Sequence, residues 1–274
     1  MRFLPHTEAD IVAMLEAIGI ASFDELIAQV PLGLRANAAI ELGGGLDEQE
    51  LVAEMSAIAA RNSGARDFVS FLGGGAYRHY VPAAVRAICG RAEFATSYTP
   101  YQPEASQGTT QAIFEFQTLI AQLTGLEVAN ASMYDGASAT AEAVLMARRV
   151  LPKRSVVMLS RALWPDYRAV VRTYLGAQSG LELVEVPFDA TSGATDIASF
   201  KQLVDERLLC AVVGYPNAFG VIEPLEQLAS IVRAAGGLMI SATAEALAFG
   251  LLKAPGDMGA DIAVGEAQSF GIAP

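Results

Sequence analysis

A chain of 274 residues is one large domain or two small ones at roughly 100–200 residues per domain, and 53% hydrophobic against 18% charged residues excludes wholesale disorder. Lys+Arg 18 against Asp+Glu 30 leaves a net charge of −12, a field that repels phosphate backbones and anionic headgroups, so neither nucleic acid nor a membrane surface is an expected partner. Two cysteines, Cys89 and Cys210, cannot build a disulfide framework and fit a reducing cytoplasm, and with two histidines they offer no zinc-type spacing.

The N-terminal residues include Glu8 and Asp10 and no apolar core, so no secretory signal is expected. The most apolar stretch, 236–252, contains Ser241, Thr243 and Glu245 and is short for a membrane span. Residues 1–62 read as a helical arm. Thr7 caps a helix through Ile11, Leu15 and Ile18, stopped near Gly19; Ser22 with Glu25 forms a capping box ahead of Leu26 and Val30, and Pro31 ends that segment. Gly43–Gly45 is a flexible joint, and Asp47 caps a helix from Glu48 to about Ala60. Such an arm packs on its own body or on a partner subunit.

From about Asp67 the pattern changes, and residues 63–274 read as a large α/β domain. Gly108-Thr109 opens a helix with Ile113, Phe116, Leu119, Ile120 and Leu123 on one face and Gly125 as its stop. Apolar strands at Ser155–Ser160, Leu181–Val186, Leu209–Gly214, Leu238–Ala242 and Ile262–Gly265 alternate with helices at Pro165–Leu175, Ile197–Glu206 and Leu225–Ala235. That alternation predicts βαβ units and a largely parallel sheet buried on both faces.

Ligands in such sheets bind beyond the carboxyl ends of the strands. The turn Asn130–Ala143 runs from polar residues into an Ala-rich helix. Its first amides can hold an anion such as phosphate with Ser138 or Thr140 adding a hydroxyl; otherwise Asp135 or Ser138 is an ordinary N-cap. Phe71–Pro82 is a glycine turn followed by Tyr77, Arg78, His79 and Tyr80, without the spacing of a dinucleotide fingerprint. Thr99–Gly108 is a loop rich in hydrogen-bonding groups. No nucleophile elbow, Walker A sequence or metal motif is present.

Phe71–Pro82, Tyr98–Gln117 and Asn130–Ala143 together resemble the glycine cleavage system P-protein family, in particular subunit 1 of its two-subunit form. Met1–Glu25, Pro216–Glu223, Gly250–Lys253 and Gly259–Gly271 add to the resemblance, which covers essentially the whole chain. The family continues past the position of Pro274 into a C-terminal domain, so the resemblance implies a truncated sequence. Ser241–Ala248 stands where the family carries an Asp-Pro-containing segment, and Val213–Tyr215 where it carries a glutamine-rich strand end.

The resemblance implies fold type I of the pyridoxal-phosphate-dependent transferases: a largely parallel sheet flanked by helices, here with an N-terminal helical arm. It implies the role of a cytoplasmic glycine dehydrogenase (decarboxylating) subunit, in a complex that decarboxylates glycine and passes the aminomethyl group to the lipoyl arm of the H-protein. The expected partner is subunit 2, two copies of each forming a heterotetramer, with pyridoxal phosphate bound covalently to subunit 2 and none covalent on this chain. The lysines agree. There are three, Lys153, Lys201 and Lys253; after Ile262–Gly265, where the Schiff-base lysine is expected, stand Glu266-Ala267-Gln268-Ser269, and Ser241–Thr243 stands in place of the ring-nitrogen aspartate.

Matched motif positions imply a cofactor-side turn of Ser132, Tyr134, Asp135 and Gly136. They imply a substrate-side set of His79, Tyr80, Tyr98, Tyr101, Gln102, Glu104, Ser106, Gln107 and Asn217, with His79 and Tyr80 along a lipoyl channel. Each of these has loop ordering as its alternative role. A non-catalytic scaffold or regulatory paralogue fits the lysine pattern equally, whereas a self-sufficient pyridoxal-phosphate enzyme requires one of the three lysines.

Overall fold

The computed structural model describes residues 5–38, 43–64, 68–95, 99–102, 104–176 and 180–272. The chain divides into two compact units, Met1–Phe68 and Val69–Pro274.

The first unit is helical: α1 (Glu8–Ile18), α2 (Phe23–Leu26), α3 (Leu32–Asn37) and α4 (Glu48–Ala59). Thr7 accepts from the Asp10 amide while the Asp10 carboxylate takes the Thr7 N–H, and Asp47 and Glu50 repeat this reciprocal box on α4. Gly19 closes α1 in the left-handed region, its N–H returning to Leu15 and Glu16. Two expectations need correction. The helix after Ser22 stops at Leu26, and Glu25 takes the Ala21 N–H rather than that of Ser22, so the box is incomplete. Pro31 does not merely end a segment: with φ −54° it is the N-cap of α3, where its missing N–H costs nothing. No residue of α1–α4 is buried.

The second unit begins with α5 (Ala83–Cys89), α6 (Ala92–Ala95) and α7 (Gln107–Thr124), followed by α8 (Gly136–Val150). Then β1 (Val156–Ser160), β2 (Glu182–Val186), β3 (Leu208–Gly214), β4 (Leu238–Thr243) and β5 (Ile262–Gly265) build one all-parallel sheet of order β2-β1-β3-β4-β5. The connecting helices are α9 (Pro165–Gly176), α10 (Ile197–Leu203) and α11 (Leu225–Ala234).

Both faces of the sheet are covered, which is why its strands read as unbroken apolar runs. On one face Val157, Leu159, Val212, Ile240 and Ala242 pack with Val144 and Ala147 of α8 and Tyr167 and Val171 of α9. On the other, Met158, Ala211, Val213 and Met239 pack with Phe200 of α10 and Leu225, Leu228 and Val232 of α11. All seven residues of β3 are buried. Burial raises the Cys210 thiol pKa well above its ordinary value, so it behaves as a small apolar side chain.

Candidate functional site

The chain passes from β1 out to β2 and back to β3 on the other side of β1, which puts the switch point of the sheet between β1 and β3. The loops leaving those two strands are stitched together. The Ala218 N–H donates to Ala162 O at 2.9 Å, and the Ser160 hydroxyl lies 2.7 Å from that of Thr195 on the connection that follows β2. Behind them lies Glu223, only 1% exposed, whose carboxylate accepts from the Thr195 N–H and hydroxyl and from Asn217 Nδ2 at 2.8–3.1 Å. Asn217 follows the cis Tyr215–Pro216 bond. Its amide donates to Gly193 O and Glu223, and its Oδ1 accepts from Phe219 N and Val221 N. With two donors and two lone pairs all engaged, Asn217 has nothing left to offer a ligand.

At the end of β4 the glycine turn comes in. Gly73, Gly74 and Gly75 have φ of 68°, 78° and 85°, a left-handed run that side-chain-bearing residues avoid. A Cβ on Gly75 would lie 3.7 Å from that of Ala244, so the turn lies along the β4 exit. His79 Nε2 is there 2.8 Å from Glu245 Oε2, both side chains about a quarter exposed. Because a carboxylate accepts, that ring nitrogen carries the proton. Burial raises the Glu245 pKa, but the neighbouring Ser269 hydroxyl and the hydrogen bonds from the Leu247 N–H and His79 outweigh it and hold the carboxyl below its ordinary value.

At the end of β5 stands Glu266. Its own N–H donates to Thr243 O at 3.0 Å, and its Oε1 accepts the Gly136 N–H at 2.6 Å, with the Tyr167 hydroxyl 3.5 Å away. Burial, then the neighbouring Glu266 charge, pushes the Tyr167 phenol pKa far above its usual value, which keeps it a donor. Gly136 is the first residue of α8. A Cβ there would overlap the Tyr167 oxygen and come within 2.9 Å of Glu266 Oε1, so only glycine lets the two side chains reach the amide. Asp135 caps α8 as the ordinary reading had it: its carboxylate takes the Ser138 N–H at 2.7 Å and the Ser138 hydroxyl at 2.9 Å, which lowers its pKa.

The remaining sequence candidates are dispersed. Ser132, Tyr134, Tyr80, Tyr101, Gln102, Glu104 and Gln107 are exposed, Tyr134 fully so. Ser106 precedes α7 and serves through its backbone, its carbonyl accepting from the Thr110 N–H and hydroxyl. Tyr98 lies outside the described residues. The structure thus brings His79 to Glu245 and the start of α8 to Glu266. Sequence reasoning did not single out Glu245, Glu223 or Tyr167. A signal existed for Glu266, which occupies the position where a lysine is expected. Among the described residues no group of three His, Cys, Asp or Glu side chains is placed to hold a metal ion, and no helix is long and apolar enough to cross a membrane.

An all-parallel five-stranded sheet covered by helices on both faces, with its loops converging at the strand ends, is the fold of the type I pyridoxal-phosphate transferases. Within that class the chain belongs to the glycine cleavage system P-protein family, whose model matches residues 1–274. It is 51% identical over 271 residues to "Probable glycine dehydrogenase (decarboxylating) subunit 1" of Anaeromyxobacter dehalogenans and 48% identical to the protein of the same name from Geobacillus thermodenitrificans. In both cases 99% of this chain is covered, against 60% and 59% of the relative, so the chain spans about three fifths of their length. A crystal structure of glycine decarboxylase (P-protein) of the glycine cleavage system, in inhibitor-bound form, superposes with a TM-score of 0.85 at 45% identity, over 98% of this chain and 59% of that one. A sphingosine-1-phosphate lyase from Burkholderia pseudomallei, 16% identical with a TM-score of 0.56 over 75% of this chain and 49% of that one, shares the fold alone.

The residues present do not fit a covalent pyridoxal phosphate. The position after β5 holds a carboxylate that occupies the α8 amide, and Lys153, Lys201 and Lys253 are all exposed, one after α8, one on α10 and one between β4 and β5.

Proposed function

We propose that this chain acts as the subunit of a glycine decarboxylase that lacks the Schiff-base lysine. In this reading the assembly decarboxylates glycine and hands the aminomethyl group to a lipoylated H-protein, while pyridoxal phosphate is held covalently by subunit 2 in a heterotetramer. The family match over residues 1–274 and the relatives named as glycine dehydrogenase subunit 1 support the activity. The observation that carries the division of labour is Glu266, bound to the first amide of α8 where an amine would have to stand.

This chain's contribution is then to wall and position. The exposed side chains of Tyr80, Tyr101, Gln102, Glu104 and Gln107 are available to a partner's site, as are Ser132 and Tyr134 ahead of α8. His79, its proton held on Nε2 by Glu245, keeps its other ring nitrogen for a partner's site. Cytoplasmic residence is part of the same reading, in keeping with two unpaired cysteines.

The test is glycine-dependent exchange of labelled bicarbonate with this chain, subunit 2 and lipoylated H-protein. Exchange is expected only when both subunits are present. Borohydride reduction of the assembly followed by peptide mapping is expected to place the pyridoxyl group on subunit 2. A pyridoxyl adduct on Lys153, Lys201 or Lys253 overturns the reading, and assembly without exchange turns it into that of a scaffold or regulatory paralogue.

A further inference from the structure

The first turn of an α-helix has four backbone amides with no partner inside the helix, and together with the helix dipole they make an anion seat. At the start of α8 two of them are taken by side chains: the Gly136 N–H goes to Glu266 Oε1 and the Ser138 N–H to Asp135 Oδ1. The Asp135 carboxylate also faces the Ala137 N–H, and the Ala139 N–H makes the helix's own first bond, to the Asp135 carbonyl. Two carboxylates from this chain therefore take up the donors that an anionic group would need. Glu266 arrives from 130 residues away in sequence, on a backbone anchored by its own N–H to Thr243 O of the neighbouring strand.

The fit around that contact is tight. Gly136 leaves no room for a Cβ, and Tyr167, held protonated, adds its hydroxyl over the same Glu266 oxygen. A second anion brought to this turn would meet the Glu266 and Asp135 charges before any free donor. The geometry points to Glu266 as a resident anion that closes, on this chain, the seat a phosphate-bearing cofactor would use; removing its carboxylate turns the turn into a phosphate site. This rests on the reading that the cofactor belongs to the partner subunit and deepens it, because it names the group that shuts this chain's own strand end.

The test uses the 274-residue chain and inorganic phosphate, with sodium chloride at matched ionic strength as the reference. In the unsubstituted chain the Gly136 amide resonance is expected to stay fixed as phosphate is added at neutral pH. In Glu266→Ala the melting temperature is expected to fall by several degrees in chloride. It is expected to recover by about 2–4 °C when phosphate exceeds its dissociation constant about tenfold. Glu266→Gln, which keeps the shape and a neutral acceptor, is expected to lose less stability and to bind phosphate more weakly than the Ala variant. A saturable phosphate shift of the Gly136 amide in the unsubstituted chain overturns the inference, whether or not the variants fold. So does a folded Ala variant blind to phosphate. Neither result bears on where borohydride fixes the pyridoxyl group, so this inference and the division of labour between subunits fail separately.

Discussion

Glu223 is a carboxylate with 1% exposure and four hydrogen bonds, three from Thr195 and one from Asn217. Truncating it leaves buried donors without partners, at about 1–3 kcal/mol each. Glu223→Ala is therefore expected to lower the unfolding free energy by about 3 kcal/mol, read from urea denaturation at unchanged m-value. Glu245 makes a prediction of a different kind. Its carboxyl is held below its ordinary value, so its contribution to stability is complete above that value and is lost as the pH falls through the lowered one. Melting temperature is expected to drop as the pH falls below about 4.5, and Glu245→Gln to flatten that acid limb; an identical limb in the variant would assign it to other carboxylates. The family resemblance placed Asn217 and His79 among the pocket residues. What the sequence did not carry was their partners: Glu245 lies 166 positions from His79, and Glu223, six positions from Asn217, meets it only through the fold of the loop after β3.

Elements were more legible than residues. The apolar runs between helices marked all five strands, and the caps Thr7, Asp47 and Asp135 are local signals that the folded chain uses. The segment around Ser22–Pro31 was misread because a capping signal starts a helix but does not say how far it runs. With no buried face to extend it, α2 ends after four residues and Pro31 begins the next helix. At the start of α8 the two readings, cap and anion seat, were separable only by a contact from β5. Gly136→Ala is then a sharp test of the packing at the start of α8, where Tyr167 of α9 and Glu266 meet. The added methyl collides with Tyr167, and a loss of at least about 2 kcal/mol is expected. Tyr167→Phe removes the overlapping oxygen, so the double variant is expected to recover part of that loss, a coupling that a cycle of urea denaturations measures.

At the scale of the whole chain the sheet is covered on both faces while long helices are not. On α4, Leu51, Met55 and Ile58 recur at i, i+4 and i+7, each about half exposed, and on α7 Phe114 and Leu119 are more than half exposed. The Asp47 cap made α4 visible in the sequence but not what covers it, because an arm that packs on its own body and one that packs on a partner share one pattern. No residue of α4 is buried within this chain, so its apolar stripe contributes little to the chain's own stability. If the proposed assembly with subunit 2 holds, burying such a side chain there contributes about 1.5–3 kcal/mol. Leu51→Asp and Met55→Asp are then each expected to weaken association by about tenfold or more while leaving the melting temperature of the free chain within about a degree. Sedimentation of the mixed subunits measures the first effect and calorimetry of the free chain the second. A fall in melting temperature without a change in association would instead place the stripe against this chain's own body.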